Sequence, residues 1–400
     1  MISVKQARDI ILGSIEALPQ QIVYLEDALG RYLATDIVSN FDIPPCDNSA
    51  MDGYAVHCAD VTEKGRLLKI AYELPAGSSP KGPFEKGASV KIMTGAPIPP
   101  GADAVIMRED TSEQAQYVTA NKVPKIHQHI RFKGEDIKAG DTVLRKGSRI
   151  GPAQIGILAS IRRILVPCHQ RPVVAVLATG DEIADLDETL SQEKISSSNS
   201  YTLISLIREA GGIPLYLGVA RDNRKDLAQK LSMAKKADLI LTSGGVSMGD
   251  YDMVKDVMSQ GGNSMEFWKV EMKPGRPLAF GTISNIPAIG LPGNPVSTMT
   301  SFYQFARPAV LKMMGAANLL LPVVCAKLVS EIKSKGDRPE YVRGMIEKKG
   351  PDLIVSPTGP QGSGILSSMA RGNCFIVVSK DTTIVHEGDY IECEIFEGSW

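Results

Sequence analysis

Apolar and polar residues recur with different spacings along the chain, and the changes of spacing divide it into regions. Residues 1–45 are predicted to be helical, with a second helix over Leu25–Ala34, because apolar side chains recur every three to four residues. From Pro44 to about Ile137 the apolar runs are short and broken by glycine and proline, which predicts a small, mostly β unit. The predicted apolar face of the first helix is formed by Val4, Ala7, Ile11 and Ile15.

Residues 171–315 alternate strand and helix signals, the pattern of a doubly wound parallel sheet. Val173–Thr179 is continuously apolar, as expected of a strand buried on both faces. Asn199 is predicted to cap a helix. Further strands are predicted at Pro214–Val219, Asp238–Ser243 and Glu266–Met272, with a helix from Asp222 to about Lys235 and a long helix opening at Asn294-Pro295. A terminal β module follows, with strands at Val323–Leu328, Cys374–Val378 and Tyr390–Ile395.

Composition narrows the class of protein. The chain has 400 residues, enough for two to four domains, and its hydrophobic fraction of 43% is typical of a globular protein. With 44 basic and 45 acidic residues the net charge is -1, which argues against a general nucleic-acid binder. No apolar run is long enough to span a membrane. The six cysteines are scattered without a CxxC pair, so we expect a cytoplasmic protein without a zinc site.

Three glycine-containing loops follow predicted strands of the α/β region. In an open parallel sheet, ligands bind at the carboxyl ends of the strands, where glycine lets backbone N–H groups approach phosphate oxygens. Each loop alone is equally well explained as a tight turn, but three together favour a phosphate-binding site. The candidate binding residues in these loops are Thr179, Gly180, Asp181, Ser243, Gly244, Gly245, Ser247, Gly249, Asp250, Pro292, Gly293, Asn294 and Pro295.

Charged residues stand beside these loops. Lys273 and Arg276 flank Pro274-Gly275, and two cations on a proline-stiffened loop suit a phosphate or another oxyanion, although a solvated basic turn has the same spacing. Carboxylates near a phosphate site commonly hold Mg²⁺, whereas Asp222 is also placed to cap the helix that follows it. The candidate metal ligands are Glu182, Asp222 and Asp252.

The β insert carries polar loops of its own, at residues 47–54, 93–96 and 131–136. Small polar and glycine residues among apolar strands fit a second binding surface. Ordinary turn chemistry explains them equally well from the sequence alone.

At these residues the chain resembles one family over nearly its whole length, the molybdopterin molybdenumtransferases (MoeA), which include the E domain of gephyrin. The matching segments are long, unusual and in the family's order. They are PPCDNSAMDGYAV (44–56), IMTGAPIPPGADAV (92–105), RFKGEDI (131–137), ATGDEI (178–183), TSGGVSMGDYD (242–252), MKPGRPLAFG (272–281) and GLPGNPVS (290–297).

The resemblance implies an elongated homodimer of four domains. A helical linking domain would combine residues 1–45 with about 138–170, and a mostly β insert would span 46–137. A three-layer α/β molybdopterin-binding domain with a parallel-rich sheet would cover 171–317, and a C-terminal β-barrel 318–400.

The resemblance also implies a reaction. Adenylylated molybdopterin and molybdate would be the substrates, Mg²⁺ would assist cleavage of the pyrophosphate link, and molybdenum cofactor and AMP would be the products. A molybdopterin adenylyltransferase and recipient molybdoenzymes would be partners, and neither nucleic acid nor membrane would be one. Asn199 would join the binding residues, and the partner subunit would contribute the insert residues to the active site. The catalytic set implied is Asp52, Thr94, Asp136, Glu182, Asp222, Asp252, Lys273 and Arg276.

Alternatives remain open at the level of sequence. Tungstate has nearly the size and charge of molybdate, so a tungstate insertase fits equally well. A non-catalytic molybdopterin-binding scaffold is less consistent with Asp52, Asp136, Glu182 and the Lys273–Arg276 loop. A simple adenylyltransferase would lack the insert and barrel. One departure from the family is Ser198, where an acidic residue is usual; it either weakens a ligand contact or replaces it by a hydroxyl.

Overall fold

The helices begin and end close to the predicted positions in the α/β region and differ from them near the N-terminus. The computed structural model describes residues 1–188, 192–245 and 264–396. Within these residues no helix is long and apolar enough to cross a membrane. The helices are Val4–Gly13, Pro152–Ser160, Ser198–Glu209, Arg224–Ser232, Pro295–Ser301, Arg307–Met313 and Ser367–Ala370, with a π-helical turn at Phe302–Ala306.

The first helix starts where the sequence provides a reciprocal cap. The Ser3 hydroxyl accepts from the Gln6 N–H at 3.1 Å, and the Gln6 side chain accepts from the Ser3 N–H at 2.9 Å. Of residues 1–45, predicted to be helical, only Val4–Gly13 forms an α-helix, and the second helix predicted over Leu25–Ala34 is wrong. In this stretch only Leu25–Asp27 is helical, as a single 3₁₀ turn. Further along, Tyr32 and Leu33 form β-bridges to Arg149 and Cys168. Those pairings are formed by distant segments, so local periodicity did not reveal them.

A mixed sheet forms the centre of the α/β region. In the described residues it has six strands, in the order Ile213–Ala220, Val173–Thr179, Leu239–Ser243, Ile286–Leu291, Ala279–Ile283 and Ser264–Trp268. The first four strands are parallel, Ala279–Ile283 runs antiparallel to both of its neighbours, and Ser264–Trp268 therefore has the direction of the first four. The strand predicted over Glu266–Met272 is interrupted at Lys269, whose φ is +114°.

Both faces of this sheet are buried. Val174 and Val176 point into a core that includes the first helix, whereas Ala175 and Leu177 point into a core under the Arg224–Ser232 helix. Alternate residues of one apolar strand therefore fill opposite layers, which explains its continuous hydrophobicity. The result is the predicted three-layer α/β arrangement.

The remaining strands form smaller units. The insert sheet comprises, in order, Ala104–Met107, Gly53–Val56, Ala88–Ile92, Arg66–Leu74, Tyr117–Ala120 and Thr111–Gln114. The C-terminal strands close into a barrel in the order Val323–Leu328, Asp352–Pro357, Glu340–Lys349, Cys374–Val378 and Tyr390–Ile395. Short ladders pair Ile2–Ser3 with Val270–Glu271, Ile37–Val38 with Thr142–Leu144, Asn48–Ser49 with Ile130–Arg131, Gln20–Tyr24 with Leu165–His169, Ile183–Ala184 with Ile195–Ser196, and Ile332–Lys333 with Ile384–Val385. The predicted fold class, a mostly β insert, an α/β domain and a C-terminal barrel, is confirmed.

Candidate functional site

A cavity opens at the carboxyl ends of three parallel strands, and we call it the strand-end cavity. Ala178 pairs with Ser243, and Ser243 pairs with Leu291, so the loops that follow these strands leave the sheet at one level. The cavity has a volume of about 340 Å³, within the range of small-molecule sites. Its lining includes Thr179, Glu182, Ser196, Ser197, Ser198, Asn199, Ser243, Gly244, Gly293, Asn294 and Pro295.

Glycine allows the loops to touch. Gly244 has φ +92°, and a Cβ at this position would lie 2.7 Å from the carbonyl oxygen of Thr179. A Cβ on Gly293 would lie 3.8 Å from the Cα of Gly244. The three loops predicted to meet therefore approach each other closely, and a side chain at Gly244 would push its loop away from Thr179.

Asn199 ties two of these loops together from the Ser198–Glu209 helix. Its Nδ2 donates to the Ser243 hydroxyl at 2.8 Å and to the carbonyl oxygen of Gly293 at 2.7 Å. The prediction that Asn199 caps this helix is wrong, because Ser197 is the N-cap and Asn199 lies inside the first turn. Its amide is used for tertiary contacts instead. Ser198, the first residue of the helix, lies in the cavity lining.

The Thr179 hydroxyl is a buried polar group without a hydrogen-bond partner among the described residues. Thr179 is only 8% exposed and lines the strand-end cavity. Leaving a buried hydroxyl unpaired costs free energy, on the order of 1–3 kcal/mol. A ligand oxygen in the cavity would supply the missing partner.

The acidic residues Asp181, Glu182 and Asp222 also lie at the carboxyl ends of the parallel strands. Asp181 and Asp222 join the loops after the first two sheet strands, because the Asp181 N–H donates to Asp222 at 3.3 Å and the Asp222 N–H donates to Asp181 at 3.1 Å. The Glu182 carboxylate folds over Gly180, where a Cβ would lie 2.5 Å from Glu182 Oε2. Asp222 does not cap the following helix, whose N-cap is Asn223.

The metal site predicted from Glu182, Asp222 and Asp252 is only partly visible. Asp252 lies outside the described residues, as do Ser247, Gly249 and Asp250. Among residues 1–188, 192–245 and 264–396 no group of three His, Cys, Asp or Glu side chains is placed to hold a metal ion. Glu182 and Asp222 still offer oxygen donors, the type that Mg²⁺ takes.

Arg221 fixes the loop that carries Glu182, a role that sequence reasoning missed. Its Nη2 donates to both carboxylate oxygens of Glu188 at 2.8 Å, and its Nη1 donates to the carbonyl oxygen of Ile183 at 2.9 Å. Lys194 reaches Glu188 at 3.1 Å. The Arg221 guanidinium holds the pKa of the Glu188 carboxyl below its ordinary value, and Lys194 acts in the same direction. No local motif marks Arg221, because its partner lies 33 residues away.

The Lys273–Arg276 loop also lies at the carboxyl ends of the parallel strands. It precedes the Ala279–Ile283 strand, whose first residue pairs with Gly290, next to the end of the Ile286–Leu291 strand. Lys273 Nζ donates to Glu340 of the barrel at 3.0 Å, and its side chain remains 44% exposed. Arg276 is exposed. The loop therefore brings both cations to these strand ends, with Lys273 partly neutralised by Glu340, a contact not predicted.

The insert residues Asp52 and Thr94 also meet. The Thr94 N–H and hydroxyl donate to Asp52 Oδ1 at 2.7 and 2.9 Å. The Thr94 N–H is the largest cause of a lowered pKa at Asp52, followed by its hydroxyl and, more weakly, the positive charge of Arg108. Arg108 lies close, since its N–H donates to the Asp52 carbonyl at 3.0 Å. Sequence reasoning missed Arg108, which no motif distinguishes from a surface arginine.

Asp136 lies on an exposed segment next to the strand that precedes Asp52. Its N–H donates to the carbonyl oxygen of Ile43 at 3.1 Å, and Ile130–Arg131 pairs with Asn48–Ser49. Asp52, Thr94 and Asp136 do not line the strand-end cavity of the same chain. The structure thus forms two groups of candidate residues, one in the α/β region and one in the insert.

Comparisons with known proteins cover both groups. Residues 2–161 match the MoeA N-terminal region (domain I and II), residues 175–312 match a model described as "Probable molybdopterin binding domain", and residues 325–396 match the MoeA C-terminal region (domain IV). A molybdopterin molybdenumtransferase of Haemophilus influenzae is 36% identical over 403 residues, covering 99% of each chain. One from a Nostoc species is 36% identical, covering 97% of this chain and 92% of that protein.

A solved structure has the same fold. The molybdopterin biosynthesis moeA protein of Pyrococcus horikoshii OT3 matches with a TM-score of 0.85 and 30% identity, covering 99% of this chain and 100% of that one. The three parts of the chain and their order are therefore shared with these proteins.

Proposed function

The chain belongs to the MoeA family of molybdopterin molybdenumtransferases, enzymes of molybdenum cofactor biosynthesis, and from this premise we propose that its substrates are adenylylated molybdopterin and molybdate. In the proposed reaction, water attacks the pyrophosphate link and AMP leaves, while the two thiols of molybdopterin bind the molybdenum of molybdate and one molybdate oxygen leaves as water with the two thiol protons. The observation that carries the proposal is the strand-end cavity, where three glycine loops meet beside a Thr179 hydroxyl that no described residue hydrogen-bonds.

The loops would bind the phosphates through the backbone. Gly244 and Gly293 carry no side chain, so phosphate oxygens can approach the main chain closely. The Ser198–Glu209 helix presents its N-terminus to the cavity, and its partial positive charge favours an anion. The Thr179 hydroxyl would donate to one oxygen. Asn199 keeps the loops at the spacing that this binding requires.

Lys273 and Arg276 would hold the oxyanion. Because Glu340 lies 3.0 Å from Lys273 Nζ, Lys273 is oriented but partly neutralised. Arg276 is exposed and makes no ion pair with the described residues. We therefore assign the larger share of charge compensation to Arg276, whose planar fork suits a tetrahedral oxyanion.

The residues present fit Mg²⁺ as far as they are described. Glu182 and Asp222 would hold the ion, because Mg²⁺ takes one or two protein carboxylates and completes its coordination with water and substrate phosphates. When bound it would neutralise phosphate oxygens. Asp252 would be a third ligand. The protein's own contribution is positioning and charge neutralisation, as in other phosphoryl chemistry.

Asp52, Thr94 and Asp136 would complete the active site from the other subunit of a homodimer. This part of the proposal is supported by the strand-end cavity lining, which does not include these residues, and by the Asp52–Thr94 contact, which fixes an ionised carboxylate on an exposed loop. A cytoplasmic location, supply by an adenylyltransferase and delivery to molybdoenzymes belong to the same proposal.

The deciding experiment measures AMP release from adenylylated molybdopterin with Mg²⁺, in the presence and absence of molybdate. We expect release that depends on molybdate and yields active cofactor. Arg276→Ala should reduce it strongly, whereas Lys235→Ala, which removes another exposed cation, should not. Binding without release under every condition would indicate a scaffold, and stronger dependence on tungstate would indicate a tungstate insertase.

A further inference from the structure

A second cavity lies at the opposite end of the central sheet, where two of its parallel strands begin, and four arginines line it. We call it the arginine cavity; its charged lining residues are Asp27, Arg31, Arg149, Arg171, Arg208 and Glu209. Its volume is about 490 Å³, larger than the strand-end cavity. None of these residues takes part in the function proposed above.

The arginine cavity is separate from the strand-end cavity. Arg171 precedes the start of the Val173–Thr179 strand, and Gly211 precedes the Ile213–Ala220 strand. The seven-residue strand therefore separates the two cavities by about 20 Å, at roughly 3.3 Å per residue. The Ser198–Glu209 helix spans the same interval, with Asn199 at one cavity and Arg208 at the other.

Backbone contacts hold the arginines in place. Arg171 donates from Nε and Nη2 to the carbonyl oxygens of Gly211 and Gly212 at 2.7 and 3.0 Å. Arg31 donates from Nη2 to the carbonyl oxygen of His169 at 2.8 Å. Arg149 is brought beside Arg31 because residue 32 bridges to it. The cluster is thus built from four separate segments of the chain.

The charges of the cavity do not balance. Four guanidinium groups face two carboxylates, Asp27 and Glu209, on a chain whose net charge is -1. The C-terminus of the Ser198–Glu209 helix contributes roughly half a negative charge. This partial charge favours a cation near the helix end. After the two carboxylates and the helix end are counted, an excess of more than one positive charge remains.

Keeping these cations together has a cost. Burial is the largest cause of a lowered pKa at Arg31, and the positive charge of Arg171 acts in the same direction. The Arg208 side chain makes no ion pair or hydrogen bond with the residues that the structure describes, whereas its carbonyl oxygen accepts from the Gly211 N–H at 3.0 Å. Asp27 and Glu209 offset only part of the charge of the four arginines, so an anionic ligand would relieve the remaining repulsion.

We propose that the arginine cavity is a second binding site, for a small phosphorylated molecule that carries more than one negative charge. The planar guanidinium fork matches phosphate oxygens, and four of them exceed what a single-charged anion needs. Val23 and Leu29 also line the cavity and provide an apolar surface for an organic part. The size of the cavity fits such a molecule better than a single inorganic ion.

Inorganic pyrophosphate is the probe that tests the site, by titration calorimetry of the full chain at low ionic strength. Arg208→Ala should weaken one class of pyrophosphate sites about tenfold, which corresponds to one charge-assisted contact. Arg208→Glu, which removes the charge excess, should abolish that class. The Arg208 side chain is exposed and makes no hydrogen bond or ion pair with the described residues, so neither variant should unfold the protein, and thermal melting checks this.

Matched variants separate this site from the strand-end cavity. Lys235→Ala removes an exposed cation elsewhere in the same domain and should leave both classes unchanged. Asn199→Ala, which opens the strand-end cavity, should leave the Arg208-dependent class intact. The proposal is overturned if Arg208→Glu has no effect on pyrophosphate binding, or if Asn199→Ala alone removes all of it. Equal affinity for citrate would overturn the phosphate class.

Discussion

Asn199 and Ser243 join a helix to a strand end across the strand-end cavity, the Asn199 amide donating to the Ser243 hydroxyl at 2.8 Å. The same amide nitrogen donates to Gly293 at 2.7 Å. One side chain therefore uses both of its N–H groups to fix two loops, and a residue without two donors cannot replace it.

Asn199→Asp should keep the size of the side chain and remove both donors. We expect stability to fall by about 1–2 kcal/mol from the lost hydrogen bonds. Turnover should fall further, because the loops lose their spacing and the new carboxylate repels phosphate. AMP release and chemical denaturation measure the two effects. Ser205→Ala, on the exposed side of the same helix, is the control and should change neither.

Gly244→Ala tests the close approach of the loops. Its Cβ would meet the Thr179 carbonyl at 2.7 Å on a backbone of φ +92°. Gly140 has a similar φ of +97° but open space around it, so Gly140→Ala isolates the backbone strain. We expect each to lose about 1–3 kcal/mol from strain, with a further loss, and loss of substrate binding, only at Gly244. Equal losses at both glycines would show that the loop contact is unimportant.

Much of the fold was predictable because local signals and tertiary structure agree. The strands at Val173–Thr179, Val323–Leu328, Cys374–Val378 and Tyr390–Ile395 have the bounds predicted for them. Val173–Thr179 and Cys374–Val378 are continuous, mostly buried runs, whereas the other two strands have buried residues at intervals, between more exposed ones. The helix over Leu25–Ala34 was wrong because distant segments pair with that stretch, and a helical spacing of apolar residues does not report such pairing.

The contact between Lys273 and Glu340 allows a structural role of Lys273 to be distinguished from a role in binding the oxyanion. Lys273→Met leaves the Glu340 carboxylate, which is 5% exposed, with the Ser334 hydroxyl at 2.8 Å as its one partner among the described side chains, so stability should fall by about 1–3 kcal/mol. Adding Glu340→Gln removes the unpaired charge and should restore most of that stability.

AMP release should stay low in the double variant if Lys273 binds the oxyanion. Recovery of turnover together with stability would mean that Lys273 acts only through its contact with Glu340. Denaturation and AMP release of the unaltered protein, Lys273→Met and the double variant decide between these results.

The pKa of Asp52 should depend on Thr94. Because the folded-state pKa lies below that of the unfolded chain, about 4, the ionised carboxylate stabilises the fold above pH 4. That stabilisation is lost as the pH falls through the folded-state pKa. Thr94→Ala keeps the N–H, the larger cause, and should raise the pKa of Asp52 only part of the way. Titration of the Asp52 carboxyl by NMR measures this, and an unchanged pKa would contradict the role of the hydroxyl.

The candidate site was only partly predictable. Glycine loops after apolar strands mark the strand-end cavity, because strand order brings their ends together. Arg221, Arg108 and Glu340 were missed because each acts across a long sequence separation, on a surface that no local pattern reveals. The predicted domain boundaries and the roles of the site residues stay predictions.

Asp52→Ala and Glu182→Ala test whether the active site is shared between subunits. Asp52 lies on an exposed loop, so Asp52→Ala should fold normally, while AMP release falls sharply. Glu182→Ala should be inactive for a different reason, the loss of a metal or water ligand in the strand-end cavity. If the two residues belong to one site contributed by two subunits, co-expression of the variants should restore activity. Random pairing makes half of the dimers hybrid, and each hybrid has one intact site, so about a quarter of the normal activity should return.

The double variant Asp52→Ala/Glu182→Ala, co-expressed with either single variant, is the matched control, since no hybrid of that mixture contains an intact site. Activity of the first mixture no higher than that of the control would place Asp52 and Glu182 in separate sites or within one chain. Recovery near a quarter, in a preparation shown by mass spectrometry to contain the hybrid dimer, requires both residues to act on one substrate from opposite subunits.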